Sequence, residues 1–368
     1  MLDQNERYIW KNQRKLKTGY TTGSCAAGAA KAACRMLLGG EVVRQVKLDT
    51  PGGITLYLEV ERITRSPGAV VCAIRKDSGD DPDVTNGVYV YARVEKTDAE
   101  GVKLLGGEGI GIVTRKGLEQ EVGEPAINRV PRQMIREAVE SVSAAYGYSG
   151  GLTVTVSIPE GLRLAPRTFN PRLGIEGGLS ILGTTGLVEP MSEKALVDTV
   201  YAEMKMLKAN GDDACYVVPG NYGSDFLRDT LGYQGDAVVK CSNYIGEAVD
   251  MAVRLGMKEI RLVGHIGKLI KVAAGVMNTH SHQADCRFEV LAAHAAMAGA
   301  DRKLVCGIME CITTSEALSL LEKAEILETV MGTVMEKMEE HLKRRAGGAL
   351  KIGAVMFSPE YGILGGRI

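Results

Sequence analysis

Hydrophobic and polar positions change rhythm twice along the chain. From Thr22–Ser24 onward, CAAGAAKAACRMLL repeats small apolar residues at helical spacing, with Thr and Ser suited to cap its start and Gly39-Gly40 to stop it. Strict alternation and β-branching then predict strands in VRQVKLDT, GITLYLEV, AVVCAIRK and VYVYARVEK, with Pro51-Gly52-Gly53 as a turn. GGEGIGIVT at 106–114 joins two further strands, VPRQMIREAVESVSAAYG reads as a helix, and LTVTVSIPE at 152–160 as a closing strand. Residues 1–17 read as a polar lead-in.

The second half alternates strand and helix. SILGTTGLV at 180–188 reads as a buried strand and glycine loop, and 192–209 as an amphipathic helix. ACYVVPG (214–220), AVVKCSN (237–243) and KEIRLVGHIGK (258–268) read as strands, separated by the helix IGEAVDMAVRLG and followed by a helical LIKVAAGVMN. Long helical patterns near 283–298 and 315–345 precede a last strand, KIGAVMFSP at 351–359. The expected class is α/β: an α+β N-terminal domain, then a mostly parallel sheet covered by helices. The Pro- and Gly-rich stretch within 158–180 is the expected boundary, giving domains 1–165 and 166–368.

Charge narrows the function. The 44 basic and 45 acidic residues leave a net charge of −1, without the basic surplus of a nucleic-acid binder. No apolar run approaches the ~20 residues of a membrane span, and the N-terminus lacks the apolar core of a secretion signal, so a cytoplasmic setting is expected. The eight cysteines are scattered with no CxxC pair, which argues against disulfides or structural zinc.

Ligands of open α/β sheets sit beyond the carboxyl ends of parallel strands. Three glycine-bearing loops fit that position: Gly183-Thr184-Thr185-Gly186, 219–223 with Gly220 and Asn221, and 264–268. Each alone is equally an ordinary turn; together they are expected to form one pocket. GGEGIG has the glycine spacing of a dinucleotide loop, but a strand rather than a helix follows it, so it reads as a hairpin. KDSGDDPDVTNG at 76–87 crowds Asp77, Asp80, Asp81 and Asp83, either as a solvated turn or in a functional role. His265, His280 and His282 gather near Asp285, as proton carriers or metal ligands, and Lys268 stands at a predicted strand end. Arginines beside glycine or proline, including Arg132, suit carboxylates.

Taken in order, LKTGYTTGSCAAGAAKAA (16–33), KDSGDDPDVTNG (76–87), GGEGIGIVTRKGL (106–118), VGEPAINRVPR (122–132), LSILGTTGLVEPMSEKAL (179–196), GNYG (220–223), CSNYIGEA (241–248), GHIGKLIKVAAG (264–275) and NTHS (278–281) resemble the CbiD family, the cobalt-precorrin-5B methyltransferases of anaerobic cobalamin biosynthesis. Two departures are expected, at Ser78 and Glu189. The resemblance implies methyl transfer from S-adenosylmethionine to carbon 1 of a corrinoid, giving cobalt-precorrin-6A; the cobalt belongs to the substrate and no protein-bound metal is implied. With the strand-end loops in view, the donor is expected in the C-terminal domain on the 183–186 and 219–223 loops with Ser242 and Asn243. The macrocycle is expected between the domains against Thr21, Thr22, Ser24, Lys76, Arg132 and Lys268, with His265 or His280 managing a proton and Asp80, Asp81 and Asp83 orienting polar groups. Hand-over of the substrate from a neighbouring pathway enzyme and an oligomeric state are compatible with this reading. The alternatives are a metal-dependent hydrolase built on His280, His282 and Asp285, and a non-catalytic corrinoid carrier.

Overall fold

A computed structural model describes residues 6–11 and 13–367. Its chain forms two compact units, Met1–Ser192 and Glu193–Ile368. The polar lead-in is partly structured: Tyr8–Lys11 pairs antiparallel with Arg14–Lys17, while residues 1–5 lie outside the described residues.

In the first unit, strands Glu61–Ser66, Ala69–Arg75, Tyr89–Thr97, Gly151–Ser157 and Val102–Gly106 form one sheet in that order. All neighbours are antiparallel except Gly151–Ser157 and Val102–Gly106, whose parallel pairing requires a crossover; the helix Arg129–Ala145 lies within it. Thr22–Gly39 is the expected helix, capped by the Thr21 hydroxyl accepting from Ser24 N–H at 3.1 Å and ended by Gly40 at φ +79°. Its positions from Thr22 to Ala30 are all buried. A helix buried all round must present small residues to every neighbour, which explains the alanine run. A Cβ on Gly28 would stand 2.7 Å from both Ile74 of the sheet and Leu58 of the hairpin Gln45–Asp49/Thr55–Glu59.

The boundary differs from the expected 165/166. Residues 166–192 belong to the first unit because their polar groups and strands are completed there. Ile175–Glu176 pairs with Ile112–Val113, and Leu187–Val188 with Gly19–Tyr20. Buried Asn170 donates to Gly178 O at 3.0 Å and accepts from Ser180 Oγ at 3.1 Å. The expected strand at 180–188 is reduced to that two-residue pairing and isolated bridges.

The second unit carries a sheet ordered Val238–Lys240, Ala214–Val218, Glu259–His265, Lys351–Ser358, Gly362–Arg367. The first four strands are parallel and the last, absent from the sequence reading, returns antiparallel. Both faces are covered, as a parallel sheet requires. Helices including Glu193–Ala209, Ile245–Arg254, Ile266–Ala273 and Leu327–Ala346 bury one face, and Asn221–Asp229 packs Leu227 with Val218, Val263 and Phe357 on the other. The expected helix at 315–345 is two, Thr314–Lys323 and Leu327–Ala346, parted by Glu325 at φ +56°; Arg302–Met309 is an additional helix.

Candidate functional site

The strand order of the second unit fixes where a ligand fits. From Ala214–Val218 the chain crosses one way to Val238–Lys240, then returns past its start to Glu259–His265. Two neighbouring strands whose following loops depart in opposite directions leave a crevice at their carboxyl ends. Loops 219–223 and 264–268 are those loops, so this part of the expected convergence holds. Gly223 admits the close approach: a Cβ there would lie 2.7 Å from Val263 O. Gly220 has φ +149° with open space around its missing Cβ. Lys268 Nζ donates to Pro219 O at 2.7 Å and ties the loops together, and Asn221 Oδ1 accepts from Lys240 Nζ at 2.7 Å.

His265 caps the helix Ile266–Ala273: its Nδ1 accepts from Gly267 N–H at 3.0 Å. The neutral ring therefore carries its proton on Nε2. Burial pushes its pKa down against the opposing charge of Glu360, and burial likewise lowers Lys268. Beside the loops, Cys241 N–H donates to Val218 O at 3.0 Å and Ser242 takes a left-handed φ of +53°. Thr279 N–H donates to Asn243 O at 3.0 Å, and the buried Thr279 hydroxyl has no hydrogen-bond partner among the described residues. Ser242 and Asn243 thus follow the strand Val238–Lys240 beside these loops.

Other expected site residues are occupied elsewhere. The loop 183–186 is part of the first unit and follows no parallel strand, so the strand-end argument does not apply to it. Gly183 (φ +131°) has no room for a Cβ beside Thr21, nor Gly186 (φ +84°) beside Thr50. Thr21 N–H and Ser24 Oγ donate to Gly186 O at 3.1 and 2.7 Å, Gly52 N–H to Thr185 O at 2.9 Å, and Leu182 N–H to Thr22 Oγ1 at 3.0 Å. The hydroxyls of Thr22 and Ser24 and the backbone N–H of Thr21 therefore fasten this loop to the helix start. Exposed Thr184 lines a separate cleft of about 490 Å³ with Lys31, Thr50 and Gln133.

The acidic loop is likewise built from its own carboxylates. Asp80 accepts from Lys17 N–H at 2.6 Å and Asp81 from Met191 N–H at 2.8 Å. Asp83 accepts from Thr85 N–H at 2.8 Å and pairs with buried Lys76, which also donates to Ser78 Oγ at 2.6 Å. Arg132 donates to the carbonyls of Ile127 and Pro125 at 2.6 and 3.0 Å and pairs with Glu124 at 3.2 Å. The surrounding groove of about 730 Å³ sets Arg129, Arg132 and Arg136 among Glu119, Glu124, Glu137 and Glu140. Such mixed charge makes a poor trap for carboxylates.

The hydrolase reading finds no centre. Arg287 grips Asp285 with two bonds of 2.7 and 2.9 Å, and Lys271 stands 4.0 Å away. His280 Nδ1 accepts from His282 N–H at 3.2 Å. Among the described residues no group of three or more His, Cys, Asp or Glu is placed to hold a metal. Lys271, buried, donates to the carbonyls of Thr279 and Ala284 at 3.3 and 2.9 Å, and so shapes the histidine loop.

Two residues at the crevice escaped the sequence reading. Lys240 reaches Asn221 from the neighbouring strand, and Glu360 follows Lys351–Ser358, the strand beside His265. The strand-end rule applied to SPEYG gives the signal for Glu360.

The fold thus defines an α/β protein of two units, the second with two glycine-bearing loops meeting where its parallel sheet reverses strand order. Residues 9–190 match the CbiD family model and 278–367 that of the CbiD C-terminal domain. A protein of Ruminiclostridium cellulolyticum named cobalt-precorrin-5B C(1)-methyltransferase is 48% identical over 96% of this chain and 92% of its own length. One of the same name from Alkaliphilus metalliredigens is 46% identical over 98% and 94%. A crystal structure of the cobalamin biosynthesis protein cbiD from Archaeoglobus fulgidus, 32% identical, aligns with 75% of this chain and 86% of that one at a TM-score of 0.41. The chain belongs to the CbiD family.

Proposed function

We propose that this protein methylates carbon 1 of cobalt-precorrin-5B with S-adenosylmethionine as donor, giving cobalt-precorrin-6A. The observation that carries this reading is identity of 44–48% to proteins of that named activity, across 94% of their length in two cases and 92% in a third. Its donor site is the crevice of the second unit, and the residues there suit the ligand. Open Gly220 lets a ligand approach backbone, Asn221, Ser242 and Asn243 supply polar contacts for a ribose and an amine, and Lys268 pairs with the donor carboxylate. The eight cysteines are free thiols, which suits a reducing compartment such as the cytoplasm.

Bound there, the donor supplies a methyl group on a positively charged sulfur. The protein's task is alignment, since in-line displacement gains most from holding the reacting atoms close. A tight anionic cage around the sulfur would hold the ground state more strongly than the transition state, in which that charge is vanishing. Nothing in the crevice requires a covalent nucleophile, and burial pushes the Cys241 thiol up to about 12, leaving it protonated. Incubation with cobalt-precorrin-5B and methyl-labelled donor should yield a product heavier by one methyl, located at carbon 1 by NMR. Donor consumption with the label on another carbon, or no transfer at all, overturns the assignment.

A further inference from the structure

The ring of Tyr222 stands outside the packing of its own helix. It is 74% exposed. Behind it the aromatic side chains are fixed: Phe226 stacks on Phe357 with centroids 3.9 Å apart and planes within 6°, and His265 meets Phe357 edge-on at 5.9 Å. Tyr222 lies 6.3 Å from the His265 ring, their planes 40° apart.

A flat ring stacked between two others requires them about 7 Å apart, twice the ordinary carbon contact distance. The Tyr222 and His265 centroids, 6.3 Å apart, are just short of that, and their planes are inclined by 40°. One side is immobile, since the His265 ring is held through Nδ1 by Gly267 N–H and by the Phe357 contact. The other is a tyrosine with mostly free surface, able to swing by the small amount needed. A lone exposed tyrosine needs no explanation; one that stands beside a pinned imidazole at the strand-order reversal of a parallel sheet does.

We propose that Tyr222 and His265 form an aromatic jaw that takes the purine ring of the methyl donor. This rests on the donor site assigned above, and adds to it the part of the ligand each group reads: Tyr222 the base, Lys268 the carboxylate. The jaw sets specificity for the adenosyl end and positions the donor; it takes no part in bond making.

Calorimetry on the full chain tests it, with S-adenosylhomocysteine and adenosine as probes, using the parent protein and the variants Tyr222→Ala, Tyr222→Phe and Lys268→Met. Tyr222→Ala should weaken both probes about 5- to 150-fold, the range for loss of one base–aromatic stack. Tyr222→Phe should bind both as the parent does. Lys268→Met should weaken S-adenosylhomocysteine by a larger factor than adenosine, which has no carboxylate for it to lose. The adenine H2 and H8 resonances should move upfield on binding the parent and not on binding Tyr222→Ala. If Lys268→Met weakens S-adenosylhomocysteine while Tyr222→Ala does not, the jaw is wrong and the donor site stands. If Tyr222→Phe weakens the probes as much as Tyr222→Ala, the hydroxyl rather than the ring is responsible and the jaw is again wrong. If the parent binds neither probe, or no variant changes binding, the donor site and the jaw fall together.

Discussion

Lys76 shows most directly what one side chain contributes to this fold. Its ammonium is 3% exposed and divided between Ser78 and Asp83. Burial pushes the Asp83 carboxyl up, but the Lys76 charge and bonds from Lys76 and Thr85 outweigh it, leaving the group below its ordinary 3.8. A depressed carboxylate stabilises the folded state above the unfolded value and loses that contribution as pH falls through the folded one. Lys76→Met leaves Asp83 without its cation and should cost about 3 kcal/mol near pH 7. The deficit should shrink on acidification, because Asp83 without its cation takes up a proton at a higher pH in the variant than in the parent. Urea midpoints of both proteins at pH 7 and pH 3.5 check this; an unchanged gap counts against the pair. The crowding of aspartates was legible in the sequence, but the separate task of each was not. The partners of Asp80 and Asp81 are backbone N–H groups of Lys17 and Met191, and a side-chain pattern carries no record of them.

At the level of elements, hydrophobic alternation located the hairpin strand Gln45–Asp49 well, because one of its faces is buried: exposed and buried positions alternate along its whole length. Glycine was harder to read. The strand expected after GGEGIG, which excluded a dinucleotide loop, is present as Ile112–Val113, but the glycine spacing did not reveal why the glycines stand there. Gly109 has φ +71°, and a Cβ would lie 1.8 Å from Ile158 O; Gly40 has φ +79° with open space. Gly40→Ala should therefore cost about 1 kcal/mol, the left-handed conformation alone. Gly109→Ala adds displacement of backbone and should cost several times that, on the order of 3 kcal/mol or more. Thermal unfolding of the two variants measures the contrast, and equal losses would show that the 158–161 backbone yields freely.

For the molecule as a whole, the expected boundary failed for a physical reason. A Pro- and Gly-rich stretch resembles a linker by composition, yet here the glycines mark tight contact: a Cβ on Gly178 would stand 2.3 Å from Gly109 O. A fragment of residues 1–192 should unfold cooperatively. One of residues 1–165, lacking the buried Ile175, Leu179 and Ile181 together with Asn170, should not. Circular dichroism melts of both fragments decide the matter, and a cooperative transition in the shorter one would restore the earlier boundary. The parallel sheet and its crevice loops were legible because alternating strands and helices admit few topologies. Which loops share the crevice was not, because strand order lies in hydrogen bonding between distant segments.

That strand order also bears on self-association. At one rim of the second sheet lies Val238–Lys240, only three residues long and ending in lysine. At the other lies Gly362–Arg367, with Gly362 and Gly366 at φ +64° and +105° and a register shift opposite Met356/Phe357. Short, charged or irregular rims are poor templates for an incoming strand. Copies of this chain that assemble are therefore not expected to join edge to edge through this sheet.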